Sequence, residues 1–141
     1  MWLYDGKQFL HTPEQYQGFV YVITEVDTNK HYIGKKNFWK PKTLPINKKR
    51  KRKVRTRTES DWREYYGSSK EFSLLVEQKG KDNFKREIIR LCKTKGEMSY
   101  YEAKEQFDRN VLFSNEYYNE FIGCKIHARH VKDTLCTNLQ D

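Results

Sequence analysis

Residues 19–39 read FVYVITEVDTNKHYIGKKNFW: Tyr21 sits within one β-branched run, and Tyr32-Ile33-Gly34 lies in the next, followed at once by Lys35 and Lys36. A phenol has an ordinary pKa near 10, so about one in a thousand is ionised at pH 7. Such a group serves as a general base only when a nearby cation or a metal-bound water assists it. Strand side chains alternate between faces, so one of the two lysines must share the face of Tyr21, and Lys36 is favoured. Farther on, Ser99-Tyr100-Tyr101-Glu102 offers a carboxylate with two readings. It is either the reaching-back member of a helix capping box or a metal ligand. Cys124, His127, His130 and Cys136 offer four candidate zinc ligands, but their spacing matches no common zinc pattern, and the favoured reading puts His127, Arg129 and His130 on a nucleic-acid-facing or plain surface.

These groups need elements to hold them. A strand is predicted over 19–25, a tight turn over Asp27-Thr28-Asn29-Lys30, and a second strand over 31–36, giving an antiparallel hairpin. Residues 37–58 hold Pro41 and Pro45 and no hydrophobic period, which predicts a long loop. The stretch SDWREYYGSS reads as a short helix closed by Gly67. A second helix follows over 70–78, with Phe72, Leu75 and Val76 at helical spacing before Gly80. NFKREIIRLC predicts a third strand, and MSYYEAKEQFDRNVLF a helix over 99–111. The order describes an α/β or α+β domain with a small three-stranded, mainly antiparallel sheet flanked by helices. The expected organisation is one domain over 1–141, with an N-terminal arm at 1–17, a core at 18–122 that carries a basic loop at 40–58, and a tail at 123–141.

Charge separates one segment from the rest. The chain has 141 residues and a formal net charge of +9, yet residues 48–57 alone hold eight Lys or Arg and no acid. Without them, 20 basic residues nearly balance 19 acidic ones. A strip of that density attracts a polyanion, most commonly nucleic acid, though a solvated loop or a localisation signal has the same composition. Aromatics make up 15% of the chain, which favours a folded domain over disorder. Three cysteines fall short of a disulfide scaffold, and no apolar run approaches the about 20 residues of a membrane span. A soluble protein of a reducing compartment is expected.

The paired tyrosines, the spacing of ten residues between them, the NFKREII strand and the late acidic helix resemble the GIY-YIG nucleases. SDWREYYGSS and YYEAKEQF look most like the freestanding, phage-encoded Seg-type homing endonucleases. The resemblance covers residues 18–122. The second motif is complete at Tyr32-Ile33-Gly34, while the first departs to Phe19-Val20-Tyr21. It implies a metal-dependent DNA endonuclease acting on double-stranded DNA in the cytoplasm of a host cell, with no membrane and no small-molecule substrate. Tyr21 would be the base, Tyr32 would orient phosphate or water, Gly34 would allow close approach, and Lys36 would assist. Glu102 would bind one Mg²⁺ or Mn²⁺, with Glu105 as its substitute, and Asn119 would help beside it. The family's Arg has no direct match: Arg63 with Tyr66 at i,i+3 is the nearest arrangement, and Arg55 and Arg57 are rivals. Lys48, Lys49, Arg50, Lys51, Arg52, Lys53, Arg55 and Arg57 would grip phosphates. Cutting both strands would take a homodimer or two sequential nicks. The alternative is a nucleic-acid-binding protein on the same fold that does not cleave.

Overall fold

The computed structural model describes residues 1–131, and the chain enters a sheet at once. β1 (Trp2–Tyr4) and β2 (Lys7–Gln8) turn on Asp5 and Gly6, both left-handed at φ 52° and 79°, as an Asp-Gly hairpin turn requires. β3 (Gly18–Glu25) and β4 (Lys30–Asn37) form the expected hairpin, and β5 (Trp39–Leu44) and β6 (Val54–Glu59) form another. α1 (Lys70–Lys79), β7 (Phe84–Cys92) and α2 (Lys95–Asp108) follow. The main sheet has the order β2-β1-β7-β3-β4, and β5-β6 stands apart as a two-stranded ribbon. β1 runs parallel to β7, and the other pairs are antiparallel.

The class is therefore α+β, but the sheet has five strands where three were expected. The added two come from the supposed arm. Strands of three and two residues are too short to display an alternation. What holds them is tertiary: Trp2 is buried, and its indole Nε1 donates to the Trp62 carbonyl at 2.7 Å. The segment expected as a loop is largely the β5–β6 ribbon. Its side chains are mostly exposed, so no apolar alternation marks it, and Pro41 is tolerated because each strand of a two-stranded ribbon has a free edge.

Register sorts the side chains into two layers. Phe19 pairs with Lys36, Tyr21 with Gly34, and Ile23 with Tyr32, so these six share one face. That face packs on Phe72 and Val76 of α1 and on Trp62 of a single 3-10 turn, Trp62–Glu64. The opposite face carries Val20 and Ile33 and packs on Met98 and Tyr101 of α2. The expected helix over 60–67 shrinks to that one turn, because Tyr65 is already extended (φ −77°, ψ 132°).

α2 starts four residues before the expected Ser99 and ends at Asp108 rather than 111. Thr94 is the true cap, accepting the Glu97 N–H, while Glu97 accepts the Lys93 N–H at 2.9 Å. The capping function thus belongs to Thr94 and Glu97, and Glu102 sits inside the helix with its carboxylate free of that task. Finally, residues 116–119 cover the outer edge of β4. His31 N–H donates to the Glu116 carbonyl and Tyr118 N–H to the His31 carbonyl, each at 2.8 Å. Covering an edge in this way blocks further strand pairing.

Candidate active site

The outer edge of β4 opens into a cavity of about 610 Å³. One wall comes from the α1 face of the sheet, with Tyr32, Tyr65 and Ser68; the other comes from the α2 face, with Lys35, Glu102 and Gln106. Adjacent strand residues point to opposite faces, so only at an edge can Tyr32 and Lys35 reach one space.

Tyr32 is anchored by ring stacking on Phe72 (4.7 Å, 14°), and its hydroxyl meets Ser68 Oγ at 3.2 Å. Tyr65 is half-buried with the Lys36 ammonium 4.1 Å from its ring centre. Burial raises the Tyr65 pKa, while the Tyr21 and Ser68 hydroxyls act in the opposite direction. Tyr21 lies beneath the cavity, fully buried among Trp2, Phe19 and Tyr65. Gly34 is required opposite it, since a Cβ there would collide with the phenol ring and hydroxyl. The Tyr21 hydroxyl has no hydrogen-bond partner among the described residues. Tyr65 is close enough to perturb its ionisation without meeting it at hydrogen-bonding geometry. Burial pushes the Tyr21 pKa well above 10, and Tyr65, Tyr32 and Glu102 add to the rise.

On the α2 side, Lys35 Nζ donates to Ser99 Oγ at 2.9 Å and lies 3.9 Å from Glu102 Oε1. Burial raises the Glu102 pKa, against the Lys35 ammonium and backbone N–H, which favour the ionised form. Gln106 Nε2 donates to the Ile33 carbonyl at 3.3 Å, leaving its Oε1 buried and without a hydrogen-bond partner among the described residues. Asn119 accepts the Ile33 N–H at 3.0 Å and donates to the Ile33 carbonyl at 2.8 Å. Both ends of its amide are therefore spent on the strand edge, which makes it a positioning residue for β4.

The structure brings Tyr32, Glu102 and Asn119 to the cavity, with Tyr21 and Gly34 directly beneath. It does not bring Lys36, Arg63 or Tyr66 there. Lys36 does share the face of Tyr21, but it is bound to Asp61 at 2.7 Å. Arg63 points away, to Glu59 at 3.0 Å, Thr12 at 3.1 Å and the Leu10 carbonyl at 3.3 Å. Tyr66 packs beneath the Arg86 guanidinium, 4.1 Å away. Lys35 and Tyr65 occupy the space that Lys36 and Tyr66 were expected to fill. Each is the neighbour of the residue singled out from sequence, and the signal for Tyr65 was the tyrosine doublet itself. In extended backbone, adjacent side chains diverge, so the choice within a doublet rests on register.

Among the described residues, no three His, Cys, Asp or Glu side chains converge to hold a metal. His127 and His130 use their Nδ1 atoms to accept backbone N–H groups of their own turn, and Cys136 lies outside the described residues. Glu102 remains as a carboxylate that could hold a hard divalent cation. One carboxylate is enough for Mg²⁺ when water and a substrate phosphate complete the shell.

A family model described as "Putative endonuclease segE, GIY-YIG domain" matches residues 2–122. The chain belongs to the SegE GIY-YIG family. The match begins at Trp2, which agrees with β1 and β2 being part of the sheet. Membership places the chain among GIY-YIG endonucleases, whose substrate is DNA. No curated protein and no solved structure matches.

Proposed function

We propose that this GIY-YIG domain hydrolyses phosphodiester bonds of double-stranded DNA with a divalent cation, Mg²⁺ or Mn²⁺, held by Glu102. The observation that carries this is that Glu102, Lys35, Tyr32 and Tyr65 line one cavity beside β4. When bound, the ion would supply charge for a phosphoryl oxygen and an acidified water. Lys35 would neutralise a second oxygen of the scissile phosphate. Tyr32, held by Phe72 and Ser68, would orient the phosphate by hydrogen bond. Tyr65 would hold the attacking water by hydrogen bond, and the buried Tyr21 hydroxyl beneath it would ease the ionisation of that phenol.

One such cavity cuts one strand, so double-strand cleavage goes by a homodimer or by two nicks. The reading extends to a phage-type homing endonuclease working in the host cytoplasm. The test is supercoiled plasmid incubated with protein and Mg²⁺, with and without EDTA, for the unmutated chain and for Glu102→Ala and Lys35→Ala. Nicking or linearisation should require the metal. Each variant should lose about 10²-fold or more in rate, the usual cost of removing one preorganised electrostatic group. A plasmid that is retarded on a gel but never cut would make this a binding protein on a nuclease fold.

A further inference from the structure

The β5–β6 ribbon stands apart from the main sheet. Its root is clamped to β4: Phe38 N–H donates to the Gln17 carbonyl at 2.9 Å, Ser60 N–H to the Phe38 carbonyl at 2.8 Å, and Gln17 Nε2 to Asn37 Oδ1 at 3.0 Å. One face leans on the protein body. Trp39 Nε1 donates to the Pro13 carbonyl at 3.3 Å, and Arg57 stacks on Trp39 at 4.1 Å and donates to the Glu14 carbonyl at 3.0 Å. Register places Lys40 opposite Thr58 and Lys42 opposite Thr56 on the other face. At the far end the turn is ordered, since Asn47 Oδ1 accepts the Lys49 and Arg50 N–H groups at 2.8 Å each. Residues 48–53 at that tip are all Lys or Arg, and residues 40–58 hold no acid.

The geometry points to a β-ribbon that lies in the major groove of B-form DNA, with Lys40, Lys42, Thr56 and Thr58 at the base edges and the 48–53 tip on phosphates. This deepens the nuclease reading and rests on its DNA substrate. Six residues per strand reach about 20 Å, and two strands about 4.8 Å apart suit a groove about 12 Å wide. Long ammonium groups facing guanine acceptors and hydroxyls that take either role suit that surface. A-form RNA closes the same groove to side chains. The ribbon leaves β4 just after Lys36 and returns just before the turn that leads to Tyr65, so seating it sets the register of the cavity on the duplex.

The test is binding in EDTA by fluorescence anisotropy, using a duplex DNA, a duplex RNA of the same sequence, and the DNA with methyl green in the major groove or netropsin in the minor. The DNA duplex should bind about ten-fold or more tightly than the RNA, and methyl green should compete where netropsin does not. Replacing tip lysines with Ala should lower the log K against log[salt] slope by about 0.9 per lost phosphate contact. Lys42→Ala with Thr56→Val should shift which sites are cut. Equal affinity for RNA, or competition by netropsin in place of methyl green, would overturn the ribbon. Plasmid cleavage that ignores methyl green and the ribbon variants would sink the ribbon alone. Groove-dependent binding with no cleavage would sink the nuclease alone.

Discussion

Replacing Tyr21 by Phe removes one atom from the least comfortable position in the core. The ring stays where Trp2 at 5.3 Å and Tyr65 at 5.9 Å hold it, and it still covers Gly34. Only the hydroxyl is lost, and that hydroxyl is fully buried with no partner among the described residues. An unsatisfied buried polar group costs about 1–3 kcal/mol. Allowing for the contacts that the oxygen makes, Tyr21→Phe should stabilise the fold by about 1 kcal/mol, against the usual sign for a buried tyrosine. For a domain of this size that raises Tm by about 3 °C. Urea unfolding should show a higher midpoint at an unchanged slope, the mark of a stability change rather than altered compactness. Plasmid cleavage should fall in the same variant, because the hydroxyl sits under Tyr65. A variant destabilised by 1 kcal/mol or more would show that the hydroxyl holds a bond in the fold. A stabilised variant that cleaves normally would refute its place in the chemistry.

Asn119→Ala deletes both amide bonds to Ile33 and frees an edge of β4, so a loss of about 2 kcal/mol in urea unfolding is expected, with faster hydrogen exchange at the Ile33 amide. The buried Glu25 makes stability depend on acid. Burial alone would raise its pKa, but the Thr28 hydroxyl, the Lys79 ammonium and the Tyr118 hydroxyl outweigh it and hold the carboxyl below its ordinary 4.5. The unfolded chain then binds more protons near pH 4.5, so this contribution is present above that pH and is lost as pH falls through the folded value. Thermal melts of Glu25→Gln across the acid range should be flatter than those of the unmutated protein, and parallel curves would contradict the assignment.

Much of the site was legible because it is local. The two β-branched runs and the turn at Asp27–Lys30 made the β3–β4 hairpin legible, while its register, which pairs Tyr21 with Gly34 and sets the face of Lys36, came from the structure. α1 was legible from Phe72 and Val76 at helical spacing and from the Gly80 stop. The ribbon was not, because neither of its faces is core and its exposed Lys and Thr carry no hydrophobic period. β1 and β2 were not, because five residues cannot show a pattern and Trp2 is placed by Trp62, sixty positions away.

By itself, then, the sequence determined a basic α+β domain with a tyrosine hairpin and a carboxylate on a late helix, since a tight turn between two β-branched runs and a helix period are properties of neighbouring residues. Only the tertiary structure decided that Lys35 and Tyr65 face the cavity while Lys36 and Tyr66 do not. That choice is made where β4 ends the sheet: Lys35 lies on the α2 face beside Glu102, and Tyr65 lines the same cavity from the segment before α1 on the other face. No spacing within the chain encodes which groups those are, because each belongs to an element placed by packing on a different face.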